Sequence, residues 1–302
     1  MIRKLFPLAA LTFLLASCTN AIDNVDNLQL RAGADSNLPV FYATIEGGDD
    51  AATKVFADEQ LRVLWNADDR ITVFNKYSYG YEYSFTGQDG DNAGEFAAVP
   101  NNSVVTGNAL DHVYALYPYN ASTKISNDGV VTATLPSQQA YKANSFGIGA
   151  NTMLSVTDDT KLMFRNVGGY LSFKFYGEGV SIKRLTLKGN NHEKLAGDAS
   201  ITMAVAGTPV VAMHEDASES ITLICETPVA LGADADHYTE FWFVVPPTEF
   251  TQGITLTVTD TSETSVIKTT DKAIAVDRNR LSRMAAMSAQ LGGIEIIRYE
   301  EW

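Results

Sequence analysis

The chain has 302 residues, 45% of them hydrophobic and 19% charged, with a formal net charge of -14 at pH 7. So large an apolar fraction excludes wholesale disorder, and the acidic balance repels phosphate backbones, which excludes nucleic acid as a partner. Two cysteines cannot make a disulfide framework, and the four histidines, His112, His192, His214 and His237, are too far apart to form a close metal-ligand pair.

At the start, Arg3 and Lys4 precede an apolar run from Leu5 to Ala16. A helix that crosses a bilayer needs roughly 20 residues, so this run fits the apolar core of a secretory signal instead. Leu15-Ala16-Ser17-Cys18 resembles the lipobox of bacterial lipoproteins, which implies a signal peptide over residues 1–17 and lipidation of Cys18. Several acyl chains on one cysteine exceed the two signals that stable anchoring requires. Residues 18–37, with "NAIDNVDN" and "AGADSN", read as a polar tether. With Cys18 acylated, Cys225 has no partner inside the chain. It shares one face of a two-residue repeat with Ile221 and Leu223, the pattern of a buried small hydrophobe.

Beyond the tether the periodicity is two, which predicts strands. "VFYATIEG" sets Val40, Tyr42 and Thr44 on one face against Phe41, Ala43 and Ile45 on the other, and a first strand is expected over Leu38 to Ile45. "RITVF", "HVYALYPY", "VVTATLP", "GYLSFKFYG", "IKRLTLKG", "SITMAVA", "SITLICE", "EFWFVVPP" and "ITLTVTDT" follow, separated by Gly, Pro, Asn and Asp. Many short strands punctuated by turn residues mean an all-β chain. "LSRMAAMSAQL" has spacing that suits a helix or a strand equally. A boundary is expected near Asp159, between a passage without alternation, "YKANSFGIGANTM", and the fresh run "LMFRNVGGYLSFKF". It divides the chain into bodies over 38–159 and 160–302.

No catalytic constellation emerges. "DGDNAGEF" places Asp89, Asp91 and Gly94 at calcium-loop spacing, but Ala93 and Pro100 occupy positions that must carry oxygen ligands. An acidic hairpin loop is expected there. "GIGANT" lacks the third glycine of a dinucleotide fingerprint. Asp68 and Asp69 are expected in a turn. No metal and no cofactor are expected. In "NKYSYGYEYSF" five aromatics fall on odd positions, but Gly80 breaks the ladder. The segment is expected to fold as a hairpin with "YSYG" in its turn. Tyr81, Tyr83 and Phe85 then pack, and Tyr77 and Tyr79 are the aromatics available to a glycan.

The order of the lipobox, "VFYATIEGGDDAATKV", "VLWNADDRITVFN", "YALYPYN", "TATLPSQQAY", "LMFRNVGGYLSFKF", "LTLKGNN", "EKLAGDASI" and "DRNRLSRM" resembles fimbrillin-like proteins of the Bacteroidota, the lipoprotein precursors of type V pili. The resemblance spans nearly the whole chain. It implies two tandem β-sandwich domains of transthyretin-like, Greek-key type. It also implies an outer-membrane location, other pilin subunits as partners, and assembly in which a protease removes the first strand and a neighbour's strand replaces it. The other reading is a monomeric outer-membrane surface lipoprotein that binds glycans through exposed aromatics such as Tyr77 and Tyr79; host or bacterial surface glycans or proteins are the candidate partners. In the family an arginine in the loop after the first strand is cut. Here that loop carries Lys54, and Arg31 lies before the strand, so both are processing candidates.

The chain ends in "GGIEIIRYEEW". Gly292-Gly293 make a hinge, and the run over 292–302 is a candidate donor strand through Ile294, Ile296, Ile297 and Tyr299. The other reading is an edge strand of the second domain. A lone arginine, Arg298, falls on the face of Ile294 and Ile296, and burying it without a partner would be costly.

Overall fold

The structure is a computed structural model that describes residues 38–46, 63–100, 107–290 and 295–296. Among these residues every regular element is a strand, as the alternation predicts. Seven of them close into a barrel in the order Phe41–Ile45, Lys161–Asn166, Met153–Thr157, Ala109–Tyr117, Arg70–Tyr77, Tyr81–Phe85 and Ala93–Ala98, the last pairing back onto the first. Where two stacked sheets were expected in the first half, these strands close on themselves, and closure leaves no unpaired edge.

The barrel interior is aromatic. Trp65 is 1% exposed and meets Phe85, Phe96, Tyr117 and Phe164 with ring centroids 5.0 to 5.9 Å apart. From Val113 to Tyr117 the strand Ala109–Tyr117 is buried on both faces, which suits the apolar run "VYALY". Val113, Ala115 and Tyr117 face the barrel interior. Leu110, Tyr114 and Leu116 face outward into a second cluster with Val131, Ala133, Ala199 and Ile201. That cluster is roofed by a four-stranded sheet in the order Val210–Met213, Gly197–Thr202, Val131–Leu135 and Lys124–Ile125.

A third core lies between two further sheets. One centres on Gly169–Tyr176, flanked by Thr239–Val245 and, in parallel, by Leu281–Arg283 and Met287–Ser288. The described part of the ambiguous "LSRMAAMSAQL" thus holds two short strands and no helix. The other sheet has seven strands and centres on Ile254–Asp260, Ser181–Gly189 and Ser220–Ala230. Leu171, Phe173 and Phe175 meet Leu185, Leu223, Leu256 and Val258 between them. Cys225 sits in this core at 4% exposure, beside Ile221 and Leu223 as its alternation predicts. Burial pushes its thiol up to about 11.

The strands are not partitioned at residue 159. Lys161–Asn166 belongs to the barrel, where it pairs with Phe41–Ile45 and Met153–Thr157. Val131–Leu135 pairs with Gly197–Thr202, and Gln138–Lys142 lies parallel to Ser220–Ala230. The chain passes from the barrel into the later sheet at Gly168-Gly169. A Cβ on Gly169 would stand 2.0 Å from the Asp277 carbonyl oxygen, so only glycine permits that backbone approach.

Candidate functional site

The first strand occupies a slot in the barrel wall. Phe41–Ile45 pairs antiparallel with Ala93–Ala98 on one side and parallel with Lys161–Asn166 on the other, while the remaining barrel pairs are antiparallel. The two-residue period sends Phe41, Ala43 and Ile45 inward at 0%, 0% and 7% exposure. Tyr42 points out and Thr44 and Val40 are half-buried. Phe41 meets the Tyr83 ring edge-on, with centroids 5.2 Å apart. Strands lie about 4.8 Å apart, so withdrawing this one would leave a gap of roughly two spacings, rimmed on both sides by unpaired amides and carbonyls.

The residue that closes the strand escaped sequence reasoning. Glu46 follows the last inward side chain, and its amide donates to the Phe164 carbonyl at 2.9 Å. Its side chain is only 8% exposed and gathers one backbone amide and two guanidinium groups. The Asn166 amide reaches Oε1 at 2.5 Å, the Arg278 guanidinium pairs with the same oxygen, and Arg165 Nη1 lies 3.6 Å from Oε2. Arg278 also donates to the Asn166 carbonyl at 2.9 Å. Beneath this cluster a buried amide relay runs through Asn151, Asn166 and Asn279, with bonds of 2.6 and 2.7 Å, and the Tyr170 hydroxyl donates to Asn151 at 3.1 Å. Burial raises the Tyr170 phenol well above its ordinary value, and the nearby Glu46 charge raises it further. A glutamate directly after an alternating apolar run is the only trace in the sequence, and nothing there reveals partners more than a hundred residues away.

The hairpin reading of "NKYSYGYEYSF" holds. Arg70–Tyr77 pairs antiparallel with Tyr81–Phe85, and Tyr83 and Phe85 enter the barrel core. Tyr77 is 44% exposed, while Tyr79 lies edge-on to Tyr81 with centroids 4.8 Å apart. With Tyr83 and Phe85 buried, the five aromatics do not share one exposed face. "DGDNAGEF" turns between Tyr81–Phe85 and Ala93–Ala98, where Asp89 accepts from the Ala67 amide and Asp91 from the Gln88 amide, both at 2.8 Å. Asp68 lies in the expected turn. Asp69 is buried beside it, accepting from the Asn66 amide at 2.7 Å and the Tyr117 hydroxyl at 2.9 Å. Burial raises its carboxyl more than these bonds lower it. A pocket of about 410 Å³ opens above it, lined in part by Trp65, Asn66, Asp89, Tyr117 and Lys142.

The histidines are dispersed, on Asp158, Glu219, Ser200 and Asp234 respectively. Among the described residues, no three His, Cys, Asp or Glu side chains are grouped to hold a metal. Cys18, Arg31, Lys54, Ile294, Ile297 and Tyr299 lie outside the described residues. Of the C-terminal run, Glu295–Ile296 is described. Its backbone lies parallel to Ser265–Thr269 at the edge of the seven-stranded sheet.

No family model matches the sequence, and no curated protein does. Solved structures do match. A candidate cell adhesion protein from Bacteroides ovatus is 14% identical, with a TM-score of 0.52 over 87% of this chain and 95% of its own. Another from Bacteroides uniformis is 15% identical, with a TM-score of 0.45 over 87% and 98%. The tip fimbrial protein Mfa3 from Porphyromonas gingivalis, in a C-terminally truncated form, is 10% identical, with a TM-score of 0.27 over 87% and 99%. The chain has the all-β fold of the Bacteroides ovatus protein along most of its length.

Proposed function

We propose that this chain is a non-enzymatic subunit of an adhesive surface fibre, anchored to the outer membrane through Cys18 and joined to its neighbours by strand exchange at the Phe41–Ile45 slot. The observation that carries the reading is the strand itself. It is hydrogen-bonded on both sides, inserts three side chains into the core, and precedes a single connection, residues 47–62, before the next described residue, Val63. One cut in that connection separates the strand from the rest of the chain in sequence. Lys54 falls there, whereas a cut at Arg31 would release the protein from lipid and leave the slot filled. The barrel half is then the acceptor, and the donor is a strand of a neighbouring subunit. The buried Cys225 thiol, raised to about 11, is poorly placed to serve as a nucleophile at neutral pH.

Two measurements test this. Cys18→Ala is expected to abolish labelling by a fatty-acid analogue and to move the protein out of the membrane fraction; unchanged membrane association would reject the anchor. For assembly, full-length protein carrying a site-specific protease sequence after Lys54 is cut once folded, and the released fragment is separated. The uncut protein should scatter light as a monomer and the cut protein as oligomers. Cut protein without its fragment that stays monomeric would reject strand exchange, and oligomers that persist after deletion of Ile294 to Trp302 would reject the C-terminal run as donor.

A further inference from the structure

We infer that the slot selects its occupant by charge: the incoming strand must place a carboxylate where Glu46 lies, between Arg278 and Arg165. This rests on the strand-exchange reading above and adds to it the chemistry by which one strand is preferred over another.

A cut anywhere in residues 47–62 removes Glu46 together with the first strand. The two arginines remain, because Arg165 lies on the adjoining strand Lys161–Asn166 and Arg278 follows Ile274–Val276. Their side chains are 24% and 19% exposed, and each faces its own oxygen of the Glu46 carboxylate. Among the described residues, Glu46 is the acid with which both are paired. Their other contacts are neutral: Arg165 donates to the Ala206 carbonyl at 3.3 Å and lies near the Met163 sulfur, and Arg278 donates to the Asn166 carbonyl. Once a strand without that carboxylate refills the slot, two guanidinium groups of like charge are again shielded from water, with an unpaired Asn166 amide between them. Partial desolvation of unpaired charge is expensive.

An occupant with apolar side chains alone would fill the Phe41, Ala43 and Ile45 positions and leave that charge uncompensated. Discrimination of this kind needs no additional attraction to the right strand, because the wrong one is penalised. The occupant is thus an extended segment of another polypeptide that runs in the direction of the first strand. It is apolar at three alternate positions and has Glu or Asp directly after the third.

The test uses the full-length protein cut after Lys54 at the inserted protease sequence, with a fluorescent peptide of residues 38–46 exchanged into the slot. Unlabelled peptides then compete for it. The native sequence should displace the probe at a concentration at least tenfold lower than the same peptide carrying Glu46→Gln. In cut protein carrying Arg278→Met the difference should fall below threefold. Equal displacement by the two peptides would overturn selection by charge while leaving strand exchange intact. Failure of every peptide to enter the slot would overturn both.

Discussion

Phe41→Ala is expected to destabilise the intact protein by about 3–5 kcal/mol, the usual cost of truncating a fully buried phenylalanine. The ring is 0% exposed and packs on Tyr83 in the barrel interior, where its removal opens a cavity that strands fixed on both sides cannot collapse to fill. For a chain of this size the loss should lower the melting temperature by roughly 6–20 °C. Tyr42→Ala, one residue on, is the control. Its side chain is 36% exposed on the outer face, and a surface change of that kind shifts stability by about 0.5 kcal/mol or less. Urea denaturation of both variants reads the contrast directly. Similar losses for the two would mean that the strand does not present its odd-numbered residues to the core, and the slot would lose its physical basis.

Glu46→Gln is the second large effect. Gln keeps the size of the side chain and can still accept from the Asn166 amide, so packing is preserved and charge alone is lost. Removing one partner of a buried ion pair costs about 3–5 kcal/mol, and a value near the lower bound is expected because both arginines keep some solvent contact. Arg278→Met in the same background should recover part of the loss, with a coupling of at least about 1 kcal/mol in the double-mutant cycle, because side chains in one network do not contribute additively. The pair is mostly shielded from solvent, so the loss should change little between low and moderate salt. Strict additivity would show that Glu46 and Arg278 do not stabilise each other, which would remove the premise of charge selection at the slot.

These two residues, at opposite ends of the first strand, could be read in advance to very different degrees. Phe41 was legible. Alternation over "VFYATI" assigns it, with Ala43 and Ile45, to one face, and the structure buries that face. The same local rule located the "YSYG" hairpin and the burial of Cys225 with Ile221 and Leu223. Glu46 was not legible as a site, since its partners Arg165 and Arg278 come from strands and turns that sequence spacing cannot bring together. The boundary expected near Asp159 misplaced Lys161–Asn166 for a related reason. A composition shift marks where a loop ends, whereas membership of a sheet depends on which strand lies alongside, and here that strand is Phe41–Ile45, at the far end of the barrel half.

The sequence by itself therefore determined the element type almost throughout, because side-chain direction in a strand follows from a local period of two that any stretch of chain carries within itself. Only the tertiary structure decided that the sheet closes into a barrel, that Gln138–Lys142 joins the later sheet, and that a parallel pair forms the seam of the slot. Register between distant strands is set by the summed packing of both faces and by pairings such as Glu46 with Arg278, and those energies exist only once residues 232 positions apart in sequence have met.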